Sequence, residues 1–208
     1  MNIDLNPQDT GVVVVDVQGD FTMLMKGSLA VEGTDQAYVD KLTHVTKQLK
    51  GKGFKIFATR DYHPEIHISF YTSHKNRSPF EVIEIQGRSQ ILWPPHCVIG
   101  TPNAELLLPD DLFTSVITKG MNPQYDSYSG FYDDSGAGTG LEDALMSFGL
   151  SNLIIYGLAT DYCVKATALD AVSLGFKVSL MEDMCRGVAK ETRDSALAEM
   201  QESGVYRI

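Results

Sequence analysis

The feature that most constrains the fold is a run of β-branched residues over Val12–Val17, interrupted only by Asp16. A continuous apolar run of this kind is typical of a strand buried on both faces of a parallel sheet. A helical pattern follows over 34–50, and a second apolar strand follows over 55–59. Strand, helix and strand in this order form a parallel crossover. The first third of the chain therefore predicts a helix-covered parallel sheet.

The same alternation continues to the last residues. Further strands are predicted at 115–119, 153–156, 177–180 and 205–208, and further helices at 103–108, at 141–148, from Asp161 to Gly175, and at 189–203. A capping box from Thr139 to Glu142 is predicted to open the helix over 141–148. We expect a single α/β domain over residues 1–208, a three-layer, doubly wound fold with a mostly parallel central sheet.

Composition excludes several classes of protein. A net charge of −10 argues against nucleic acid and anionic membranes as partners. No stretch approaches the ~20 apolar residues of a membrane span. Three cysteines at wide spacing do not form a disulfide framework, so we expect a cytoplasmic protein. The glycine run over 136–140 lacks the spacing of a dinucleotide loop. The sequence does not fix the oligomeric state, and a homo-oligomer is compatible with it.

Three reactive side chains follow the ends of predicted parallel strands: Asp16, Lys119 and Cys163. Carboxyl ends of parallel strands share one edge of the sheet, so these residues can converge. Cys163 would attack an electrophile, Asp16 would accept and return its proton, and Lys119 would stabilise both negative charges. Each residue also has a simpler interpretation, as a buried thiol, a turn cap or one half of an ion pair.

The turn before Cys163 favours the nucleophile hypothesis. Thr160 is predicted to be the N-cap of the helix, which makes Cys163 its third residue. The helix dipole and unpaired N–H groups there are expected to favour the thiolate. The backbone N–H groups of Ala159 and Cys163 could hold an oxyanion.

A candidate metal site lies after the second strand. Asp61 and His63 are two residues apart, and His96 could complete a set with one carboxylate and two imidazoles. Such a set suits Zn²⁺, Fe²⁺ or Mn²⁺. His67 is a possible fourth ligand, and Cys97 is an alternative soft ligand. Histidines in polar loops are also commonly just solvated.

Several motifs resemble those of the isochorismatase-like cysteine hydrolases and, within them, the nicotinamidases. They are Asp16-Val-Gln-Gly-Asp-Phe21, Gly27-Ser-Leu-Ala-Val31, Asp61-Tyr-His-Pro, Trp93-Pro-Pro-His-Cys97, Lys119-Gly120, Asp126-Ser-Tyr-Ser-Gly-Phe131 and Gly157-Leu-Ala-Thr-Asp-Tyr-Cys-Val164. They occur in the family's order and span nearly the whole chain.

The resemblance implies an amidohydrolase that converts nicotinamide to nicotinate and ammonia through a cysteine thioester, as in NAD salvage. It implies a triad of Asp16, Lys119 and Cys163, one divalent metal ion, most simply zinc, on Asp61, His63 and His96, and a cis peptide bond at Leu158–Ala159. It also implies a pyridine-binding ring of apolar and aromatic residues, Phe21, Leu29, Trp93, Tyr128 and Tyr162.

Two departures from the family pattern concern the pocket. Gly19 stands where the family usually has Asn, and the segment over 22–26 is about two residues longer than usual. Two other functions stay open at this point. One is a related cysteine amidohydrolase acting on N-carbamoyl or ureido compounds, and the other is a non-catalytic, flavodoxin-like binding module.

Overall fold

Six strands form the central sheet, and every neighbouring pair is parallel. The computed structural model describes residues 5–85 and 87–208; residues 1–4 of the predicted domain and residue 86 lie outside this part. The strands are β1 (Thr10–Val15), β2 (Lys55–Asp61), β5 (Ser115–Lys119), β6 (Asn152–Gly157), β7 (Lys177–Leu180) and β8 (Tyr206–Arg207), and they lie side by side in the order β5-β2-β1-β6-β7-β8. The predicted fold class is confirmed.

The strand order places a switch point beside β1. From β1 the chain moves outward to β2 and β5, then returns to β6 on the other side of β1. Register brings the strand ends level, since Val15 pairs with both Thr59 and Gly157, and Asp61 pairs with Lys119. Open α/β sheets bind ligands at the carboxyl ends of strands beside such a switch point.

Helices cover both faces of the sheet. They are α1 (Gln36–Gly51), α2 (Leu141–Ser147), α3 (Lys165–Ser173) and α4 (Lys190–Glu202). The chain crosses the sheet in one direction through α1 and in the opposite direction through α2, α3 and α4. Because each crossover is right-handed, α1 lies on one face of the sheet and α2, α3 and α4 lie on the opposite face. Tyr156 of β6 bonds Thr46 of α1, whereas Leu153, on the opposite face of β6, lies near Gly11 and Leu145 of α2. Residues 12–15 of β1 are fully buried, as their sequence predicts.

The segment between β2 and β5 holds an antiparallel hairpin that the sequence did not indicate. Its strands are β3 (Val82–Ile85) and β4 (Arg88–Ile91). The helix predicted over 103–108 is wrong: a short 3₁₀ turn covers Pro102–Ala104, and the chain is extended from Glu105. The reason is tertiary pairing, because Leu107 N–H donates to the carbonyl of Val17 and Leu106 bridges to Gln18.

The capping box predicted at Thr139 is also wrong. Helix α2 begins after Gly140, whose φ is +95°, and Thr139 accepts a hydrogen bond from the N–H of Leu141. The carboxylate of Glu142 accepts instead from the hydroxyl of Tyr132 at 2.7 Å. Among the described residues, no helix has the length and apolar character that crossing a membrane requires.

Candidate active site

The turn that carries Cys163 follows β6 directly. Gly157 ends the strand with φ +135°, and a Cβ there would lie 2.1 Å from the carbonyl oxygen of Val15. The peptide bond between Leu158 and Ala159 is cis, as the resemblance implies. Residues 160–164 form a single π turn, a form often found at functional sites, and α3 continues from it. Cys163 is 7% exposed and faces a cavity.

The structure corrects the predicted N-cap. Ala159 occupies the cap position, and the Thr160 hydroxyl is buried without a hydrogen-bond partner among the described residues. Thr160 is held instead through its backbone, because its N–H donates to the carbonyl of Arg186 at 2.9 Å. The Asp161 side chain does not cap the helix that follows it either. Its carboxylate accepts from the N–H of Val188 and the hydroxyl of Thr192, at the start of α4.

Lys119 links the three strand ends. Its Nζ lies 3.1 Å from Oδ2 of Asp16, 2.5 Å from Oδ1 of Asp61 and 3.5 Å from Sγ of Cys163. It also donates to the carbonyl of Ser127 at 2.7 Å, and its side chain is fully buried. The structure therefore brings together the three residues of the predicted triad and connects them to the candidate metal group.

The two carboxylate oxygens of Asp16 have different surroundings. Its backbone is left-handed, with φ +46°, and its Oδ1 accepts a 2.6 Å hydrogen bond from the Thr59 hydroxyl. Its Oδ2 contacts Lys119 but has no well-aligned hydrogen bond among the described residues. A carboxylate oxygen of Asp16 lies within 4.8 Å of Sγ of Cys163. This geometry suits a carboxylate that exchanges a proton with the thiol.

Burial works against the thiolate that the helix start was expected to favour. Burial raises the pKa of the Cys163 thiol well above its usual value; Lys119 opposes this effect, and the carboxylates of Asp16 and Asp61 add to it. Burial also raises the pKa of Asp16, although Lys119 opposes it. Against the effect of burial, the carboxylates of Asp16 and Asp61 raise the pKa of Lys119. The resting site therefore holds a thiol, a base and a permanent cation.

Asp61, His63 and His96 form a group that could hold a divalent metal ion. Their candidate ligand atoms lie within 4.8 Å of one another, and the Asp61 oxygen Oδ2 is 3.6 Å from Nε2 of His63 and 4.0 Å from Nε2 of His96. Each imidazole bonds a carbonyl oxygen through Nδ1, at Gly120 and at Pro94, which fixes the ring and leaves Nε2 as a ligand. Nε2 of His63 is buried without a hydrogen-bond partner among the described residues, which is the state expected of a metal ligand.

The two imidazoles differ in pKa: burial lowers the pKa of His63, but Asp61 raises it by more, whereas the pKa of His96 favours ligation. Burial and the neighbouring His63 lower the pKa of His96 to about 4, so its ring is neutral at pH 7. His67 lies outside the group, although its ring is 4.3 Å from that of His63. Its Nδ1 contacts the Ser69 hydroxyl and its Nε2 contacts the carbonyl of Tyr125, so both nitrogens are already engaged.

A cavity of about 190 Å³ opens over Cys163 and the metal group. All five residues predicted to bind the substrate line it: Phe21, Leu29, Trp93, Tyr128 and Tyr162. Trp93 links two of these rings, with its indole N–H 2.9 Å from the Tyr128 hydroxyl and its ring 5.1 Å from that of Tyr162. Sequence reasoning missed Phe80, Asp126 and Val188 in the lining. Phe80 and Val188 lie in irregular segments, where no periodic pattern marks an inward-facing side chain.

The two departures from the family pattern have structural explanations. A Cβ on Gly19 would lie 2.8 Å from Cα of Asn103, and the Asn103 amide instead donates to Asp20 at 3.1 Å. Asp20, which sequence reasoning also missed, accepts from the N–H of Cys97 at 2.7 Å. The longer segment over 22–26 exposes its methionines at 23 and 25 to solvent, and neither lines the cavity.

A family model of the isochorismatase domain matches residues 10–208 of this chain. The chain belongs to the isochorismatase family. Within that family, the nicotinamidase of Escherichia coli is 40% identical over 195 residues, which cover 92% of this chain and 90% of the relative.

Solved structures of isochorismatase-family proteins agree with that assignment. PnC1 from L. infantum, in complex with nicotinate, has a TM-score of 0.84 and 35% identity, covering 100% of this chain and 96% of its own. The pyrazinamidase of Pyrococcus horikoshii, in complex with zinc, has a TM-score of 0.78 and 38% identity, covering 96% of this chain and 98% of its own.

Proposed function

We propose that this protein is a metal-dependent cysteine amidohydrolase that converts nicotinamide to nicotinate and ammonia, as in NAD salvage. The observation that carries the proposal is the shared position of Asp16 and Cys163 around Nζ of Lys119, at the bottom of an aromatic cavity. The nicotinamidase from Escherichia coli and the nicotinate complex from L. infantum support the choice of substrate.

The cavity suits a flat heteroaromatic amide. Trp93, Tyr128 and Tyr162 provide aromatic walls, and the buried side chains of Asp61, His96 and Cys163 also line the cavity. The carboxamide carbon is placed beside Sγ of Cys163, and the ring nitrogen faces the group of Asp61 and His96. N-carbamoyl and ureido compounds lack the ring that these walls would contact, so nicotinamide is the favoured substrate.

Attack begins with proton transfer from Cys163 to Asp16. Sγ forms a bond to the carboxamide carbon as Oδ2 of Asp16 accepts the thiol proton. The negative charge shifts from the Asp16 carboxylate to the sulfur as the proton moves, and the ammonium of Lys119 stabilises it at both positions. The negative charge then moves to the substrate oxygen. The N–H of Ala159 has no acceptor among the described residues and lies on the cavity lining, so we assign it, with the N–H of Cys163, to hold that oxyanion.

Collapse of the tetrahedral intermediate releases ammonia. Protonated Asp16 donates its proton to the leaving nitrogen as the carbon–nitrogen bond breaks, and a thioester remains on Cys163. A water molecule then gives a proton to Asp16 and attacks the thioester carbon. The carbon–sulfur bond breaks, the sulfur recovers the proton from Asp16, and nicotinic acid leaves and ionises to nicotinate.

Asp61, His63 and His96 would hold the metal ion, which we propose to be zinc because of the donor set and the zinc complex from Pyrococcus horikoshii. A metal ion there supplies a Lewis acid that can anchor the ring nitrogen. Lys119 bonds Asp61 on the side away from the imidazoles and so orients its carboxylate. Three cysteines without disulfide bonds suit a reducing compartment, and we propose a cytoplasmic location.

The test compares two buried cysteines. Cys163→Ala is expected to abolish ammonia release from nicotinamide, because the thioester cannot form. Cys185→Ala is the matched control, since Cys185 is also buried but does not line the cavity. Ammonia and nicotinate are measured together, with the metal content of each sample. Substantial turnover by Cys163→Ala, or no turnover of nicotinamide by the metal-replete wild-type protein, would refute the proposal.

A further inference from the structure

Phe80 is the most unusual residue on the cavity lining. Its side chain is 59% exposed, although it is a large apolar ring. Its backbone is left-handed, with φ +67°, a conformation that is a genuine outlier for a bulky residue. Strained residues of this kind persist only where the surrounding structure fixes them, and they cluster at ligand sites.

The surrounding structure does fix Phe80. Its N–H donates to the carbonyl of Leu92 at 2.6 Å, and the N–H of Leu92 donates to the carbonyl of Glu81 at 2.8 Å. Leu92 is fully buried and immediately precedes Trp93. The Phe80 ring therefore stands edge-on to the Trp93 ring, with centroids 6.0 Å apart and planes at 87°. The strained backbone keeps an exposed aromatic ring at the cavity instead of letting it turn away.

Exposure divides the cavity into a floor and a mouth. Asp61, His96 and Cys163 are each at most 7% exposed and form the floor, whereas Phe80 and Val188, at 59% and 51%, form the mouth. In nicotinamide, the ring nitrogen and the carboxamide lie on either side of ring carbon 2. When both groups face the floor, ring carbon 5, opposite carbon 2, faces the mouth.

We infer that Phe80 is the specificity-determining residue of the mouth: its ring contacts the carbon 5 edge of a bound pyridine carboxamide and limits the size of the substituent accepted there. The inference rests on the proposed function for the pose of the substrate. It adds a substrate class, nicotinamides substituted at carbon 5, for which apolar groups suit the mouth and charged groups do not. Phe80 acts through contact with the ring and takes no part in the chemistry.

The kinetic test uses a matched pair of exposed residues. Phe80→Ala is expected to raise the KM of nicotinamide by about tenfold with little change in kcat, because lost binding contacts affect ground and transition states equally. It is expected to raise kcat/KM for 5-phenylnicotinamide, relative to nicotinamide, by at least about tenfold. Phe80→Tyr should restore both values. Val82→Ala is the control, because Val82 is 57% exposed on the same hairpin but does not line the cavity.

A binding measurement separates this inference from the proposed function. Trp93 is the chain's one tryptophan and contacts Phe80, so its fluorescence reports occupancy of the mouth. In the Cys163→Ala background, Phe80→Ala is expected to raise the Kd of nicotinamide by about the same factor as KM. An unchanged Kd together with an unchanged substrate ratio would overturn the inference even if nicotinamide is turned over. A protein that binds nicotinamide through Phe80 but releases no ammonia would refute the proposed function alone.

Discussion

The chemistry at the residue scale depends on where one proton resides. Asp16, Asp61 and Cys163 are all buried and surround the single ammonium of Lys119. If all three were ionised, only one positive charge would balance them, so the thiol with its raised pKa keeps its proton. Oδ2 of Asp16 accepts no hydrogen bond among the described residues, so Asp16 is the neighbouring base that can take the thiol proton. The nucleophile is therefore generated during attack and is not stored as a thiolate.

Asp16→Asn distinguishes these two states of the nucleophile. With general-base activation, the substitution is expected to lower kcat/KM by about 10²–10⁴-fold and to slow alkylation of Cys163 by iodoacetamide at neutral pH. A thiolate already present in the wild-type protein does not need this base, so its alkylation would not be slowed by the substitution. Mass-mapped alkylation measures the rate, and Cys97 and Cys185, which do not line the cavity, serve as internal controls.

The pH dependence follows from the same residue. The pKa of Asp16 is raised above 3.8, and only its ionised form accepts the thiol proton. Wild-type kcat/KM should therefore fall as the pH drops through this raised pKa, and the acid limb should lie above the ordinary aspartate value. Alkylation of Cys163 that is not slowed in the Asp16→Asn variant would show that the thiol ionises without Asp16 as its base.

At the scale of elements, Asp161 joins the nucleophile turn to α4. Helix α4 has Ala189 at its N-cap, which offers no side-chain acceptor. The carboxylate of Asp161, from the π turn, accepts instead from the N–H groups of Val188 and Ala189 and from the hydroxyl of Thr192. The cap therefore comes from a distant part of the chain, and it also fixes Val188 at the cavity mouth.

Asp161→Ala is expected to lower the free energy of unfolding by about 2 kcal/mol, because it removes the cap of α4 and deprives the N–H groups of Val188 and Ala189 of their acceptor. Urea denaturation followed by circular dichroism measures the change. Asp170→Ala is the control, since the Asp170 side chain on α3 makes no hydrogen bond among the described residues. Equal stability of the two variants would show that solvent caps α4 equally well.

Elements with their own apolar pattern could be predicted from sequence, and elements defined by distant partners could not. The buried run at 12–15 and the helix over residues 36–51 carry their periodicity locally, so both were found within a few residues of their bounds. The stretch after Ala104 is extended because it pairs with the end of β1, and Thr160 is not a cap because its backbone bonds Arg186. Neither partner is visible in the local sequence.

The site follows the same division. Asp16, Lys119 and Cys163 could be placed together because parallel strands end at one edge, a property of the fold class alone. Phe80 and Asp20 could not be assigned to the site from the sequence. The position of Phe80 depends on its pairing with Leu92, and that of Asp20 depends on the N–H of Cys97. The pKa of Cys163 was misjudged because a helix terminus is visible in sequence, whereas burial beside two carboxylates is not.

At the scale of the whole molecule, the candidate metal group ties separate parts of the chain together. Asp61 ends β2, His63 follows it, and His96 comes from the far end of the irregular segment, after the hairpin. These residues meet only in the folded state, so a metal ion that binds them stabilises folding by mass action. The single-domain prediction implies that this stabilisation reaches the whole sheet.

Adding zinc to chelator-treated protein is therefore expected to raise its melting temperature. At a free zinc concentration of about one hundred times Kd, the gain is about 2.7 kcal/mol, or roughly 5–10 °C for a chain of this length. His96→Ala should abolish the shift, and His44→Ala, on the distant helix α1, should retain it. Two probes are compared: the fluorescence of Trp93 beside the site and far-ultraviolet circular dichroism of the sheet. Coincident shifts are expected because a single domain unfolds cooperatively. A shift in fluorescence alone would show that the site melts apart from the sheet, and the single-domain prediction would then be wrong.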